Sequence, residues 1–99
     1  MRSFEVDDVD ARGFVARVEA EVRDRSLDDV VSVWLDGDRL VVRFRYLGTS
    51  ELTYRLVPRE RGFAAELEDQ RVASLHAPFR APFEDRFDTV LDTVGARRT

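Results

Sequence analysis

The stretch Val31–Tyr46, VSVWLDGDRLVVRFRY, decides the fold, because it has the pattern of two β-strands that flank a tight turn. A two-residue turn at Gly37 and Asp38 fixes which residues of the two strands face each other. The predicted pairs are Asp36 with Arg39, Leu35 with Leu40, Val33 with Val42 and Val31 with Phe44. Apolar residues then meet apolar partners on one face, whereas Trp34, Arg43 and Arg45 lie on the opposite face.

Two further turns extend this hairpin into a meander. Residues 48–50 and 59–62 are typical of the loops between antiparallel strands, since each segment contains glycine. The pairs they predict are Tyr46 with Leu52, Phe44 with Tyr54, Val42 with Leu56, Leu56 with Ala65 and Tyr54 with Leu67. All three turns keep the same apolar face, and a slip of one residue would exchange the two faces. The sequence therefore predicts an antiparallel meander with its strands side by side in chain order.

A helix is predicted on each side of the meander. Asp7–Arg25 has apolar residues at helical spacing. Asp7, Asp8 or Asp10 is suited to cap its start. Pro82–Val94 has proline at its first position and a single apolar stripe, which indicates a second helix.

The apolar stripes of these helices require a sheet face to cover. Between the meander and the second helix, residues 69–77 fit either a fifth strand, with Leu67 opposite Val72, or a short helical turn. We therefore expect one α+β domain over residues 1–99. It has two layers: an N-terminal helix, a four- or five-stranded antiparallel β-meander and a C-terminal helix, with both helices packed on one sheet face.

The composition is acidic and all of its basic residues are arginine. The 99 residues carry a net charge of -4 and include 16 basic residues. Aspartate is more frequent than glutamate, and lysine, asparagine and isoleucine are absent, as expected of a GC-rich genome. In composition the chain resembles uncharacterised small proteins of halophilic archaea, a resemblance that implies no activity. A GC-rich actinobacterium is the alternative source.

Other features of the composition limit location and chemistry. Without cysteine, the chain forms no disulfide, thiolate metal site or catalytic thiol. No apolar run has the length of a signal peptide or a membrane span, so we expect a cytoplasmic protein without a membrane partner. The acidic charge argues against a nucleic-acid partner, because phosphate binding needs a basic surface.

The face opposite the predicted core is the main candidate for a binding site. Its candidate residues are Trp34, Val41, Arg43, Arg45, Arg55 and Glu66, with Arg55 predicted between Arg43 and Glu66. This face is either solvated, as in many antiparallel sheets, or covered by a helix that crosses to it, or a contact surface. Tryptophan and arginine are enriched at interfaces, and a large side chain left in water forgoes about 1.5–3 kcal/mol of burial. We therefore expect a non-enzymatic protein that forms a homodimer or binds a protein partner through the face around Trp34.

Two alternative functions belong to other classes. Arg43, Arg45 and Arg55 form a candidate site for an anionic ligand or single-stranded nucleic acid, with Trp34 as a stacking platform. His76, the only histidine, is the candidate centre of an enzyme, although its neighbours in sequence offer no group to orient it as a general base. No motif for a metal, a cofactor or a catalytic group occurs, so we predict none of them.

Overall fold

In a computed structural model, which describes residues 3–45, 48–71 and 80–98, the protein has two helices and a curled six-stranded antiparallel sheet. The strands are β1 (Phe4–Asp7), β2 (Val31–Asp36), β3 (Arg39–Arg45), β4 (Thr49–Arg59), β5 (Gly62–Arg71) and β6 (Ala96–Arg98). The helices are α1 (Ala11–Asp24) and α2 (Arg80–Thr93). The strand order across the described sheet is β2-β3-β4-β5-β1-β6, so β2 and β6 lie at its edges.

The α+β class and the antiparallel sheet are confirmed, but the prediction of four or five strands is wrong. Strands β2 to β5 form the predicted meander in chain order. The two additional strands come from the chain ends, where β1 pairs with β5 and β6 pairs with β1. The sequence FEVD of β1 alternates apolar and charged residues, and Phe4 and Val6 are buried in the core. Strands this short pair with residues that are distant in sequence, so they leave little local signal. The stronger helical patterns beside them therefore dominated the prediction.

The first helix begins later than predicted. It starts at Ala11, because Asp7 belongs to β1 and Asp10 is the cap. The Asp10 carboxylate accepts a hydrogen bond from the N–H of Gly13 at 2.8 Å. This bond satisfies one of the amides that have no partner within the first helical turn. Of the three aspartates predicted as caps, Asp10 therefore has this role.

The first and third hairpins have the predicted register. The observed pairs include Val31 with Phe44 and Asp36 with Arg39 in the first hairpin, and Leu56 with Ala65 and Tyr54 with Leu67 in the third. Each of these turns contains a glycine with positive φ, +61° at Gly37 and +125° at Gly62. Glycine reaches this region without the steric cost that other residues bear. The turn residues of these two hairpins were therefore sufficient to predict the register of their strands.

The second hairpin differs from its prediction. A turn at residues 48–50 would place Val42 opposite Leu56, but Val42 pairs with Leu52. Strand β4 already begins at Thr49, opposite Arg45, so it starts within the segment that was predicted as the turn. The partner of Val42 moves by four residues along β4, which is an even number. Side chains therefore keep their predicted faces although their cross-strand neighbours change.

Both helices contribute to one core on the same sheet face. The core residues of the helices are Phe14, Val18, Val22, Phe87, Val90 and Leu91, and Val94, directly after α2, joins them. The sheet residues buried against them include Phe4, Val6, Val31, Val33, Leu40, Val42, Phe44, Leu52, Tyr54, Phe63 and Ala65. Aromatic rings meet edge to face at the centre, where the ring centroids of Phe4 and Tyr54 are 5.1 Å apart. The described helices thus cover one face of the sheet, which we call the inner face.

Some predictions concern residues near or beyond the described ranges. The second helix, predicted over Pro82–Val94, begins earlier, at Arg80, and ends at Thr93. Residues 69–71 continue β5, so the start of the ambiguous segment is strand. Tyr46, the rest of that segment and His76 lie outside the described residues.

Candidate functional site: the outer sheet face around Trp34

The outer face is the sheet surface opposite the inner face, and its row at the β2 end consists of Trp34, Val41 and Thr53. Trp34 pairs with Val41 across β2 and β3, and Val41 pairs with Thr53 across β3 and β4. Val41 is only 6% exposed, whereas Trp34 and Thr53 are half-buried. On a face that no described helix covers, a valine so buried is shielded by its cross-strand neighbours. The indole thus covers apolar surface and still presents part of itself to solvent.

Arg43 lies next to this indole and is held there by Glu51. The guanidinium carbon of Arg43 is 4.8 Å from the centre of the Trp34 ring, which is within the range of a cation–π interaction. The Nε and Nη2 atoms of Arg43 donate to Glu51 Oε2 at 3.1 and 3.0 Å. Arg43 faces Glu51 across β3 and β4, in place of the repulsive partner Arg55 that the predicted turn implied. The ion pair therefore fixes the guanidinium over the ring.

The other predicted site residues lie on the same face but do not form one ladder. Arg55 donates to Glu66 Oε2 at 2.9 Å, which confirms their predicted cross-strand pairing. The predicted pairing of Arg55 with Arg43 is wrong, because the observed register places Glu51 opposite Arg43 and Arg39 opposite Arg55. Arg45 is exposed at the end of β3 and has no ion pair within the described part of the chain.

Arg39, which was absent from the predicted site, also lies on the outer face. It faces Arg55 across β3 and β4, and its Nε is 2.6 Å from Glu68 Oε2. A second ion pair joins Arg39 to Asp38. The side-chain hydrogen bonds to Glu68 and Asp38 raise the pKa of Arg39 above its ordinary value, so the group remains a cation. The alternation that placed Arg43 on this face would have placed Arg39 there as well.

Ion pairs continue toward the β6 edge. Glu5 Oε1 lies 2.9 Å from Arg59 Nη2, and Glu5 Oε2 lies 3.5 Å from Arg97 Nη2, whose guanidinium also contacts Asp7 at 2.9 Å. These contacts connect β4, β1 and β6 across the same face. Ion pairs between guanidinium and carboxylate groups therefore occupy much of the outer face, whereas its largest apolar side chain, Trp34, lies near the β2 edge.

The ion pairs and the partly accessible indole determine which ligands the outer face can contact. Arg43 and Arg55 already have carboxylate partners, which reduces their capacity to bind a phosphate. The indole, by contrast, retains accessible apolar surface next to a guanidinium of fixed position. Tryptophan and arginine are enriched at the contacts between proteins.

Neither of the described helices is long and apolar enough to cross a membrane. Within residues 3–45, 48–71 and 80–98, no group of three or more histidine, cysteine, aspartate or glutamate side chains is arranged to hold a metal ion. The hypothesis of an enzyme centred on His76 stays a prediction, because that residue is outside these ranges. No protein-family model, no curated protein and no solved structure matches the chain.

Proposed function

We propose that the protein acts by non-enzymatic association with another protein chain, a second copy of itself or a different partner, through the outer face around Trp34. The observation that carries this proposal is the position of the only tryptophan. Trp34 lies on the face opposite the core, is half-buried and has the Arg43 guanidinium 4.8 Å above its ring.

A tryptophan in this position is an effective anchor for a partner. Covering its unburied apolar surface gains roughly 25 cal/mol for each Å² removed from water, from which the entropic cost of association is subtracted. Trp and Arg are the residues that most often dominate binding energy at protein interfaces. The Glu51 pair already restrains Arg43, so less side-chain entropy is lost when the surface is covered.

The charged residues around Trp34 are expected to contribute little attraction to a partner, because they already form ion pairs with one another. In a face-to-face dimer, Glu66 and Glu68 would be obvious partners for Arg43 or Arg45 of the second copy. In this chain, however, Glu66 accepts from Arg55 and Glu68 accepts from Arg39. Exposed pairs of this kind contribute about 0–1 kcal/mol and set orientation more than affinity. The binding energy therefore rests on the indole and its apolar neighbours.

The test is the assembly state of the variant Trp34→Arg. At high salt, sedimentation should show wild-type association that this variant weakens, because an exposed guanidinium replaces the apolar anchor. The matched control is Ala20→Arg, which adds the same charge on an exposed position of α1. Circular dichroism of both variants establishes that each is folded.

If the chain is monomeric alone, the same pair of variants is compared for binding of a protein partner isolated with the wild-type chain. Association or partner binding that is equal for wild type, Trp34→Arg and Ala20→Arg would exclude the face that we propose.

A further inference from the structure

The two edges of the sheet differ in their protection against pairing with another strand. The edge strand β6 has three residues, Ala96–Arg98, of which two are arginines. Short length and charge are the usual means by which edge strands avoid unwanted pairing. The other edge strand, β2, has six residues, VSVWLD, without proline and without a charge before Asp36. Within the described sheet, β2 is thus an edge without these protections.

The backbone of β2 alternates between bonding to β3 and facing the open edge. The C=O of Val30 accepts from the N–H of Arg45 at 2.7 Å, which fixes the phase of the ladder. In an antiparallel pair, hydrogen-bonded and non-hydrogen-bonded positions alternate. The even-numbered residues of β2 therefore bond to β3, and the odd-numbered residues direct their N–H and C=O groups away from it.

One of these edge groups is already used. The N–H of Val31 donates to the C=O of Leu27 at 2.8 Å. The edge then presents the N–H groups of Val33 and Leu35, with the C=O groups of Val31, Val33 and Leu35. A two-fold axis through Val33 relates the Leu35 N–H to the Val31 C=O and the Val33 N–H to the Val33 C=O. The Leu35 C=O is the exception, because the group that the axis relates to it, the Val31 N–H, already donates to Leu27.

We propose that a second copy of the chain pairs with the first through this edge, β2 against antiparallel β2, with Val33 opposite Val33 of the second copy. In that register each Val33 N–H donates to the C=O of the other Val33, and each Leu35 N–H donates to the C=O of Val31. All of the edge donors on both copies are then satisfied. The inference rests on the proposed function for its premise that the chain acts by association, and it names the partner and the contact.

The side chains fit the same register. On the inner face, Val33 meets Val33 and Leu35 meets Val31 of the second copy, so apolar residues face apolar residues. On the outer face, Trp34 comes opposite Ser32, whose small side chain leaves room for the indole. In the second copy Ser32 is paired with Arg43, so each indole also approaches the other copy's guanidinium. A slip by one residue would place Val33 and Leu35 of one copy beside the outer face of the other copy, and their edge N–H groups opposite residues that already bond to β3.

A depression beside the β2 edge would border the contact with the second copy. It has a volume of about 210 Å³ and is lined by Glu19, Val22 and Arg23 of α1, the α1–β2 connection and the first half of β2. Glu19 and Arg23 have opposite charges and are one helical turn apart. A two-fold axis reverses their order in the second copy, which directs each carboxylate toward the other copy's guanidinium.

Amide hydrogen exchange of the full chain, measured residue by residue over a range of protein concentration, tests the edge pairing. The amides of Val33 and Leu35 should exchange at least about tenfold more slowly in the associated state than in the monomer. The amides of Ser32 and Trp34 bond to β3 in both states and serve as internal controls.

A pair of variants tests the same hydrogen bonds. Leu35→Pro removes an edge N–H that the β2–β3 ladder does not use, and Leu35→Ala removes the side chain but keeps the N–H. Leu35→Pro should weaken dimerisation by roughly tenfold to a hundredfold more than Leu35→Ala, since two symmetric bonds are lost. If Leu35→Pro does not fold, the wild-type exchange pattern decides.

The outcomes separate this inference from the proposed function. Concentration-dependent protection of Val33 and Leu35 supports the edge pairing, and weaker association of Trp34→Arg in the same measurements supports the proposed function as well. Association without that protection, together with loss of association in Trp34→Arg, overturns the edge pairing and leaves the outer face as the contact. A chain that remains monomeric with fast exchange at Val33 and Leu35 also overturns the edge pairing, and the outer face is then tested with a different protein.

Discussion

Gly62 occupies the most restricted backbone position that we find in the described chain. It begins β5 with φ of +125°, opposite Asp7 of β1. A Cβ atom at this position would lie 1.9 Å from the carbonyl oxygen of Val6, far inside van der Waals contact. The obstacle is backbone and cannot rotate away. Gly62 therefore permits the close approach of β1 to β5.

Replacing this glycine should separate β1 from the sheet. We expect Gly62→Ala to lower the free energy of unfolding by more than about 2 kcal/mol in urea denaturation, through strain and loss of strand pairing. The control is Gly37→Ala, which has φ of +61° but no atom within 4 Å of the place that a Cβ would take. That variant should lose only about 1 kcal/mol from its left-handed conformation. Equal losses in the two variants would contradict the close-approach argument.

Arg43 should control how accessible the indole of Trp34 is. Its guanidinium lies over the ring, so Arg43→Ala should increase quenching of tryptophan fluorescence by a neutral quencher such as acrylamide. Arg55→Ala is the matched control, because Arg55 lies on the same face and pairs with Glu66. Since Trp34 is the only tryptophan, the signal reports on one site. An equal change in both variants would mean that Arg43 does not cover the ring.

At the scale of elements, the cap of α1 separates the helix from β1. Asp10 accepts from the Gly13 N–H, and Asp10→Ala should lower the free energy of unfolding by about 1 kcal/mol. Asp10→Asn retains a side-chain acceptor and should lose much less. Thermal or urea unfolding of the three proteins checks this order. A cost that is the same for alanine and asparagine would show that the carboxylate charge, and not the hydrogen bond, stabilises the helix start.

The elements that could be predicted from the sequence are those whose signals are local. The turn at Gly37 sets the β2–β3 register within a few residues, and the pairs followed as predicted. Strands β1 and β6 are four and three residues long, and their pairing depends on residues from the opposite end of the chain. No local period predicts such contacts, although the alternation of FEVD was a signal for β1.

On the outer face, the sequence predicted which residues lie together, but it did not predict all of their cross-strand partners. Alternation placed Trp34 and Val41 together, because the side-chain period of two does not depend on the turn between β3 and β4. The partner of Arg43 did depend on that turn, and a turn placed too late gave Arg55 instead of Glu51. Face membership thus follows from a short repeat, whereas a specific ion pair requires the exact loop length.

At the scale of the whole molecule, the first and the last strand of the described chain, β1 and β6, are neighbours in the sheet. Strand β1 lies between β5 and β6, and Glu5 contacts arginines of both β4 and β6. These contacts stabilise the side of the sheet that is remote from β2. The association that we propose would use the opposite side and would leave these contacts unchanged.

The charge of the whole molecule bears on the alternative function of anion binding. Sixteen arginines are outnumbered by twenty acidic residues, and Arg43 and Arg55 each donate to a carboxylate on the outer face. A phosphate backbone would have to displace these carboxylates against a net charge of -4. Counterion release provides affinity only where cations are free to contact phosphates.

We therefore expect no binding of a single-stranded oligonucleotide, even at low salt, in a fluorescence-anisotropy titration. The double variant Glu51→Gln, Glu66→Gln removes the carboxylates that pair with Arg43 and Arg55 while leaving the fold's inner face unchanged. If the ion pairs with Glu51 and Glu66 prevent Arg43 and Arg55 from contacting phosphate, the variant should bind the oligonucleotide weakly. Its affinity should then fall as the salt concentration rises. Wild-type binding that weakens with salt would instead favour the anion site over protein association, because it would mean that the guanidiniums leave their carboxylates for phosphate.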